Sequence, residues 1–345
     1  MFRSLAAGVI LLGLSFALLM PNSSAQEKKE PPKKRERIAL SEPADVAKDP
    51  DFAIQGEYVG EVTHNGEKKK VGTQAIAKGL GEFDVKILLG GLPGDGWDGK
   101  QAMKATAKRA EDGAVTITGN EFTGGISDGT MSLKGTGMNI SLTLKKVVRK
   151  SSTLGAKPPE GAVVLFAGPG DEKKWNGGKI VELSDGKFLN MGITSKEKFG
   201  AFKAHFEFRL PWMPNSRGQG RANSGVYLQD QYEIQVLDSF GLNGENNECG
   251  GIYSQVKPLV NMCYPPMSWQ TYDIEFTPAE FNDEKKKIKN ARTTILHNGV
   301  KIHDNAEIKG HTADNSPDTP GVGPFQLQNH GDPLVYQNIW VVPMK

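Results

Sequence analysis

Ala201-Phe202-Lys203-Ala204-His205-Phe206-Glu207-Phe208-Arg209 sets apolar and polar side chains at alternate positions. Side chains on a β-strand point to opposite faces in turn, so this period marks a strand with one face on a core. The alternation returns at Ser224 to Gln229, Tyr232 to Leu237, Thr271 to Phe276, Ala291 to His297 and Gln337 to Val342, without a convincing amphipathic helix between them. Forty-one glycines and twenty prolines supply the turns such a chain needs. An all-β fold follows, with a double-sheet jelly-roll sandwich over residues 161–345 whose concave face is a natural carbohydrate groove.

Upstream, residues 49–150 read as a smaller antiparallel β domain of unassigned role: Gly56 to Gly60, Thr73 to Ala77, Phe83 to Leu89, Ala114 to Thr118, Thr130 to Leu133 and Met138 to Leu144 are short alternating runs cut by Gly and Asp-Gly turns. Residues 151–160, with Ser151, Ser152, Gly155, Pro158 and Pro159, read as a linker. Residues 26–48 open on a Lys, Glu, Pro and Arg mixture with almost no apolar side chain, which predicts a disordered charged linker. Before it, Met1-Phe2-Arg3, an uncharged apolar run from Leu5 to Met20, and Asn22-Ser23-Ser24-Ala25 form the three parts of a secretory signal. Cleavage near Ala25 predicts an exported protein, periplasmic or extracellular. The apolar run is short of the ~20 residues a bilayer demands, so no membrane span is expected after cleavage.

The formal charge of +2 is balanced, which gives no reason to propose nucleic acid or an anionic membrane as partner. Export into an oxidising compartment predicts a disulfide between Cys249 and Cys263, the chain's two cysteines, with two buried free thiols as the alternative.

Chemistry concentrates in Tyr232-Glu233-Ile234-Gln235-Val236-Leu237-Asp238. Glu233 and Gln235 share a face above a floor of Ile234 and Val236, and Asp238 joins them only if a bulge re-aims it. Just upstream, Gly218 to Gln229 offers glycines for close approach, the fixed donor fork of Arg221, and the amide of Asn223. Phe325-Gln326-Leu327-Gln328-Asn329-His330-Gly331 ends a strand with a histidine suited to proton transfer. These residues give Glu233, Asp238, His330 and Arg221 as candidate catalytic groups, and Asn223, Tyr227, Gln235 and Gln328 as candidate substrate contacts. No compact ligand motif stands out, which leaves a divalent cation an open question.

Asn223 to Gln229, Tyr232 to Ser239, Cys249 to Tyr253, Trp269 to Ile274, Leu296 to Val300 and Leu327 to Gly331 through Asn338-Ile339-Trp340 occur in an order that resembles the 3-keto-disaccharide hydrolase domain family. The resemblance implies a concanavalin-A-like jelly roll acting on an oxidised carbohydrate, with a sugar 3-oxidoreductase supplying the ketone. It implies C2 deprotonation, elimination at C1 and hydration, with Glu233 or Asp238 as base, Arg221 or a metal holding the enolate and His330 protonating the leaving oxygen. The resemblance also implies Asn338 as a substrate contact, and Gln337 just before it stands where an arginine is expected in many relatives. Two rivals remain: a retaining glycoside hydrolase using Glu233 and Asp238, and a carbohydrate-binding protein without catalysis.

Overall fold

Period-two burial organises the chain into two β units. The computed structural model describes residues 36–344, apart from 65, 138–139 and 313–315. The expected signal peptide, 1–25, lies outside the described residues, as does the linker up to residue 35.

Eight antiparallel strands close into a barrel in chain order: β1 (Gly56–His64), β2 (Glu67–Gly79), β3 (Glu82–Leu89), β4 (Ala102–Arg109), β5 (Val115–Gly119), β6 (Phe122–Ser127), β7 (Thr130–Gly135) and β8 (Ser141–Val147). Closure is made by β1 against β8, with Glu57 opposite Val147. Alternate residues such as Phe83, Val85 and Ile87 or Leu142 and Leu144 fill the interior. Val46, from a short helix ahead of the barrel, joins this core, and so does one residue from the sandwich. Trp212, fully buried among the barrel side chains, lies in the loop leaving the sandwich strand β14 (Phe202–Arg209). Its indole donates to Asp49 at 2.8 Å and its ring meets Phe52 edge-on at 5.3 Å.

The second unit is a sandwich. Its five-stranded sheet runs β10 (Trp175–Asn176), β13 (Ile193–Phe199), β22 (Gly323–Leu327), β15 (Ser224–Leu228) and β16 (Tyr232–Val236). The eight-stranded sheet runs β11 (Ile180–Leu183), β12 (Gly186–Leu189), β23 (Val335–Pro343), β14, β17 (Trp269–Thr277), β20 (Ala291–His297) and β21 (Val300–Ile308), with β9 (Val163–Phe166) paired to β23. A separate hairpin joins β18 (Glu280–Phe281) to β19 (Lys287–Lys289). Phe202, Phe206 and Phe208 of one sheet meet Val226, Ile234 and Phe325 of the other in a common core, where burial of each large apolar side chain contributes roughly 1.5–3 kcal/mol.

Two expected linkers are built into the fold. Over its described part the 26–48 segment is not a solvated tether: Leu40 pairs with the Trp212 backbone, Pro43–Val46 forms a short helix with Val46 buried, and Arg37 pairs with the buried Asp332. Those apolar residues at its C-terminal end supply the burial that the charged composition of its start withholds. The 151–160 segment forms no strand or helix, yet Ser151 bonds Thr271 at 2.6 Å and the Gly155 N–H donates to Glu207 at 2.6 Å.

Candidate active site

β15 and β16 pair with Gly225 opposite Gln235 and Tyr227 opposite Glu233. Val226, Ile234 and Val236 take the core face, so Tyr227, Glu233 and Gln235 fall on the outer face. There they line a cleft of about 240 Å³ together with Gln219, Asn223, Tyr253, Gln328 and His330. Gln219 and Asn223 come from the turn before β15; Gln328 and His330 follow β22. His330 is exposed.

Glu233 is 3% exposed, and burial pushes its carboxyl up to about 7, against the opposing hydrogen bond from Tyr227. The Tyr227 hydroxyl donates to Oε2 at 2.9 Å, and the Gln328 amide donates to the Tyr227 oxygen at 3.0 Å. Burial first, then the Glu233 charge, raises the Tyr227 phenol well above its usual range, so it stays protonated as a donor. Gly225 makes this arrangement sterically possible: a Cβ there would stand 2.4 Å from Glu233 Oε1.

Amides form the rest of the lining. Asn223 Nδ2 donates to the Gln219 backbone oxygen at 2.9 Å and to its Oε1 at 3.2 Å, and Gln235 Nε2 donates to the same Oε1 at 3.0 Å. Asn223 Oδ1 and Gln328 Oε1 are buried without a protein partner, leaving acceptor lone pairs of the kind sugar hydroxyls fill. A carboxyl poised near neutrality beside unfilled amide acceptors is equipped for proton transfer on a polyhydroxylated ligand.

The 3-keto-alpha-glucoside-1,2-lyase-like domain model matches residues 161–342. The chain belongs to this family. Among solved structures it is similar to a candidate glycosyl hydrolase from Parabacteroides distasonis, at 33% identity over 54% of this chain and 85% of that one, with a TM-score of 0.48. A second candidate glycosyl hydrolase from the same organism is similar at 16% identity over 56% of this chain and 93% of that one, with a TM-score of 0.34. No curated protein matches the chain. As a member of the 3-keto-alpha-glucoside-1,2-lyase-like family, the chain is a glycoside-acting enzyme. The barrel lies outside the matched residues.

Within this family frame, three expected site residues stand away from the cleft. Asp238 and Arg221 are buried at 3% and 5% exposure and engage each other, Arg221 Nε donating to Asp238 Oδ2 at 2.6 Å. Arg221 Nη1 also donates to the barrel carbonyl of Ala77 at 3.1 Å, and Asp238 Oδ1 accepts from the Phe240 N–H. Strand β16 ends at Val236, so nothing re-aims Asp238 onto the Glu233 face. Asn338 belongs to the other sheet. It has a φ of 43° at a register shift between β14 and β23, and its amide donates to Ala156 O at 3.0 Å and Glu207 Oε1 at 2.8 Å. Gln337 likewise donates to Glu207, at 2.8 Å.

The expected disulfide is not formed: Cys249 and Cys263 are buried free thiols. The two thiols hydrogen-bond each other, and beyond that contact Cys249 meets the Tyr272 hydroxyl at 3.2 Å and Cys263 the Leu237 and Tyr264 carbonyls at 3.5 Å. Among the described residues no three His, Cys, Asp or Glu side chains gather as metal ligands. Sequence reasoning passed over Gln219, Gly225 and Tyr253, although each lies in a stretch already singled out by its glycines or its order along the chain.

Proposed function

We propose that the chain cleaves 3-keto-glycosides by elimination and hydration. The observation carrying this reading is Glu233, a buried cleft carboxyl brought to about 7 without a second carboxylate beside it among the lining residues. A ketone at C3 acidifies the C2 hydrogen, because the resulting carbanion is delocalised as an enolate. Glu233 takes that proton. The C1–O bond then breaks, its electron pair leaving with the glycosidic oxygen, which His330 at the cleft rim protonates. Water adds at C1 of the enone, and Glu233 returns a proton to C2, so glycoside and water give the 3-keto sugar and an alcohol.

The enolate oxygen needs hydrogen-bond donors. An amide nitrogen carries two hydrogens, so Gln328 keeps one beyond the bond it gives Tyr227; this amide replaces the expected Arg221. The retaining alternative needs a second carboxyl ~5–5.5 Å from the first, and Asp238 is already engaged by Arg221 and Phe240. Reading Met1 to Ala25 as a cleaved leader places the reaction outside the cytoplasm, on sugar oxidised beforehand by a 3-oxidoreductase; a mature chain beginning near Gln26 is the expected result of N-terminal sequencing.

The test is incubation of a 3-keto-glycoside and its unoxidised parent in deuterated water. Release of aglycone from the oxidised substrate alone, with deuterium at C2 of the product, is expected. Cleavage of the parent at comparable rate, with C2 unlabelled, overturns the reading.

A further inference from the structure

Between the barrel and the sandwich lies a groove of about 580 Å³, separate from the cleft. One side is the outer face of β3, β4 and β5, where Lys86 stands directly opposite Lys104 across the strand pair and Thr106 opposite Thr118. The other side is the loop 241–248, with Leu242 42% exposed and Asn243 accepting from Lys86 Nζ at 3.2 Å. This loop has two fronts. Its Asn247 carbonyl accepts from Gln219 and Gln235 of the catalytic cleft, at 2.7 and 3.4 Å, while Asn243 and Glu248 line the groove. The loop is braced against the barrel where Gly241 meets Ile76, a contact so close that a Cβ would stand 2.3 Å from the isoleucine.

The charges in the groove are unevenly satisfied. Asp84 is paired with Lys78 at 3.0 Å, and Glu248 Oε2 accepts the Gly244 and Glu245 N–H groups at 2.6 and 3.0 Å. Lys104 has no ion-pair or hydrogen-bond partner among the described residues, and Lys86 is held only by the neutral Asn243 amide. Burial, and then the adjacent Lys104 charge, keeps Lys86 below the usual lysine range, with Glu248 and Asp84 only partly opposing. Like charges directly opposite on a strand pair repel. An anion between the two ammonium groups would relieve that repulsion, while the threonine hydroxyls and Asn120 amide can hydrogen-bond a sugar and Leu242 can cover its apolar face.

We propose that this groove is a second saccharide subsite, binding an anionic group, a uronate or sulfate, on the part of the glycoside beyond the bond cleaved over Glu233. The barrel thereby supplies substrate selectivity that the sandwich alone lacks. The proposal rests on the glycosidic reading of the cleft.

The test uses the full chain and unoxidised oligosaccharides, so that it does not depend on turnover. Calorimetry should show an acidic oligosaccharide bound roughly tenfold more tightly than a neutral one of equal length, with the advantage fading as salt is raised. Lys104→Glu, at an exposed position, should abolish that preference, and Leu242→Ala should weaken both ligands. Both variants should cleave a small aryl 3-keto-glucoside at the unaltered rate. Equal affinity for acidic and neutral oligosaccharides, or a preference untouched by Lys104→Glu, overturns the proposal. Acidic selectivity lost in Lys104→Glu without cleavage of any 3-keto substrate leaves the groove standing and removes the reaction assigned to the cleft.

Discussion

Glu233 and Glu207 are both buried glutamates on strands of the sandwich, at 3% and 1% exposure, yet their environments drive them in opposite directions. Burial alone penalises the charged form of each. Glu233 has a single side-chain donor, Tyr227, and rises to about 7. Around Glu207, burial is outweighed by His205, Asn338, the Gly155 N–H and Gln337, which together lower its carboxyl below the usual range. His205 in turn reaches Asp273 at 2.6 Å and stacks on Trp340. Burial pulls the His205 charge down, but the Asp273 and Glu207 contacts leave its pKa raised. The donor count separates the two: a carboxylate surrounded by partners is fixed as an anion and holds structure, whereas one left nearly alone can exchange a proton.

Exchanging the two residues' roles by mutation is the strongest way to break this contrast. Glu233→Gln should lower turnover of a 3-keto-glycoside by ~10²–10⁴-fold with the fold retained. Glu207→Ala should do the reverse, costing about 1–3 kcal/mol in denaturant unfolding because it leaves the Asn338, Gln337 and Gly155 donors without their acceptor while Asp273 still holds His205. Equal loss of activity per folded molecule in both variants would erase the distinction.

The pH dependence sharpens it. With its folded pKa raised, Glu233 contributes stability that is complete below its unfolded value and lost as pH rises through about 7, a difference on the order of 3 kcal/mol. Glu233→Gln should therefore be more stable than the parent at pH 8. Glu207 has the opposite sign: its contribution is present at neutral pH and is lost on acidification through its lowered pKa. Catalysis by Glu233 as base should fall about tenfold per pH unit below 7. Gly225→Ala, which intrudes on Glu233 Oε1, should reduce kcat/KM by roughly tenfold, as expected for a displaced catalytic group. Smallest of all, Tyr227→Phe should move the acidic limb of the pH profile upward by under about one unit, since one hydrogen bond is worth ~0.5–1.5 kcal/mol.

What the sequence made legible follows the range of the forces involved. Alternation is local, so Glu233 and Gln235 could be placed on one face and Ile234 and Val236 in the core. Tyr227, Asn223, Gln328 and His330 reach the same cleft because they sit on, or directly flank, strands that are neighbours in one sheet. Asp238 and Arg221 were misassigned because a partner seventeen residues away and a barrel carbonyl decide where they sit. Asn338 was misassigned because a register shift redirects the strand without altering its pattern. The upstream strands announced a small β domain, but barrel closure joins Glu57 to Val147, and no short window records that pairing.

Trp212 ties the two units together in time as well as in space. The last barrel strand ends at Val147, so 212 − 147 = 65 further residues must be synthesised before the side chain that completes the barrel interior exists. At ~5–20 residues per second that is roughly 3–13 s during which the nascent barrel has strands enough to close but an unfilled apolar centre. The interval is a window for chaperones and for misassembly alike, and it makes the barrel a poor cassette: moved to another protein without the segment around Trp212, it would travel with a hole in it.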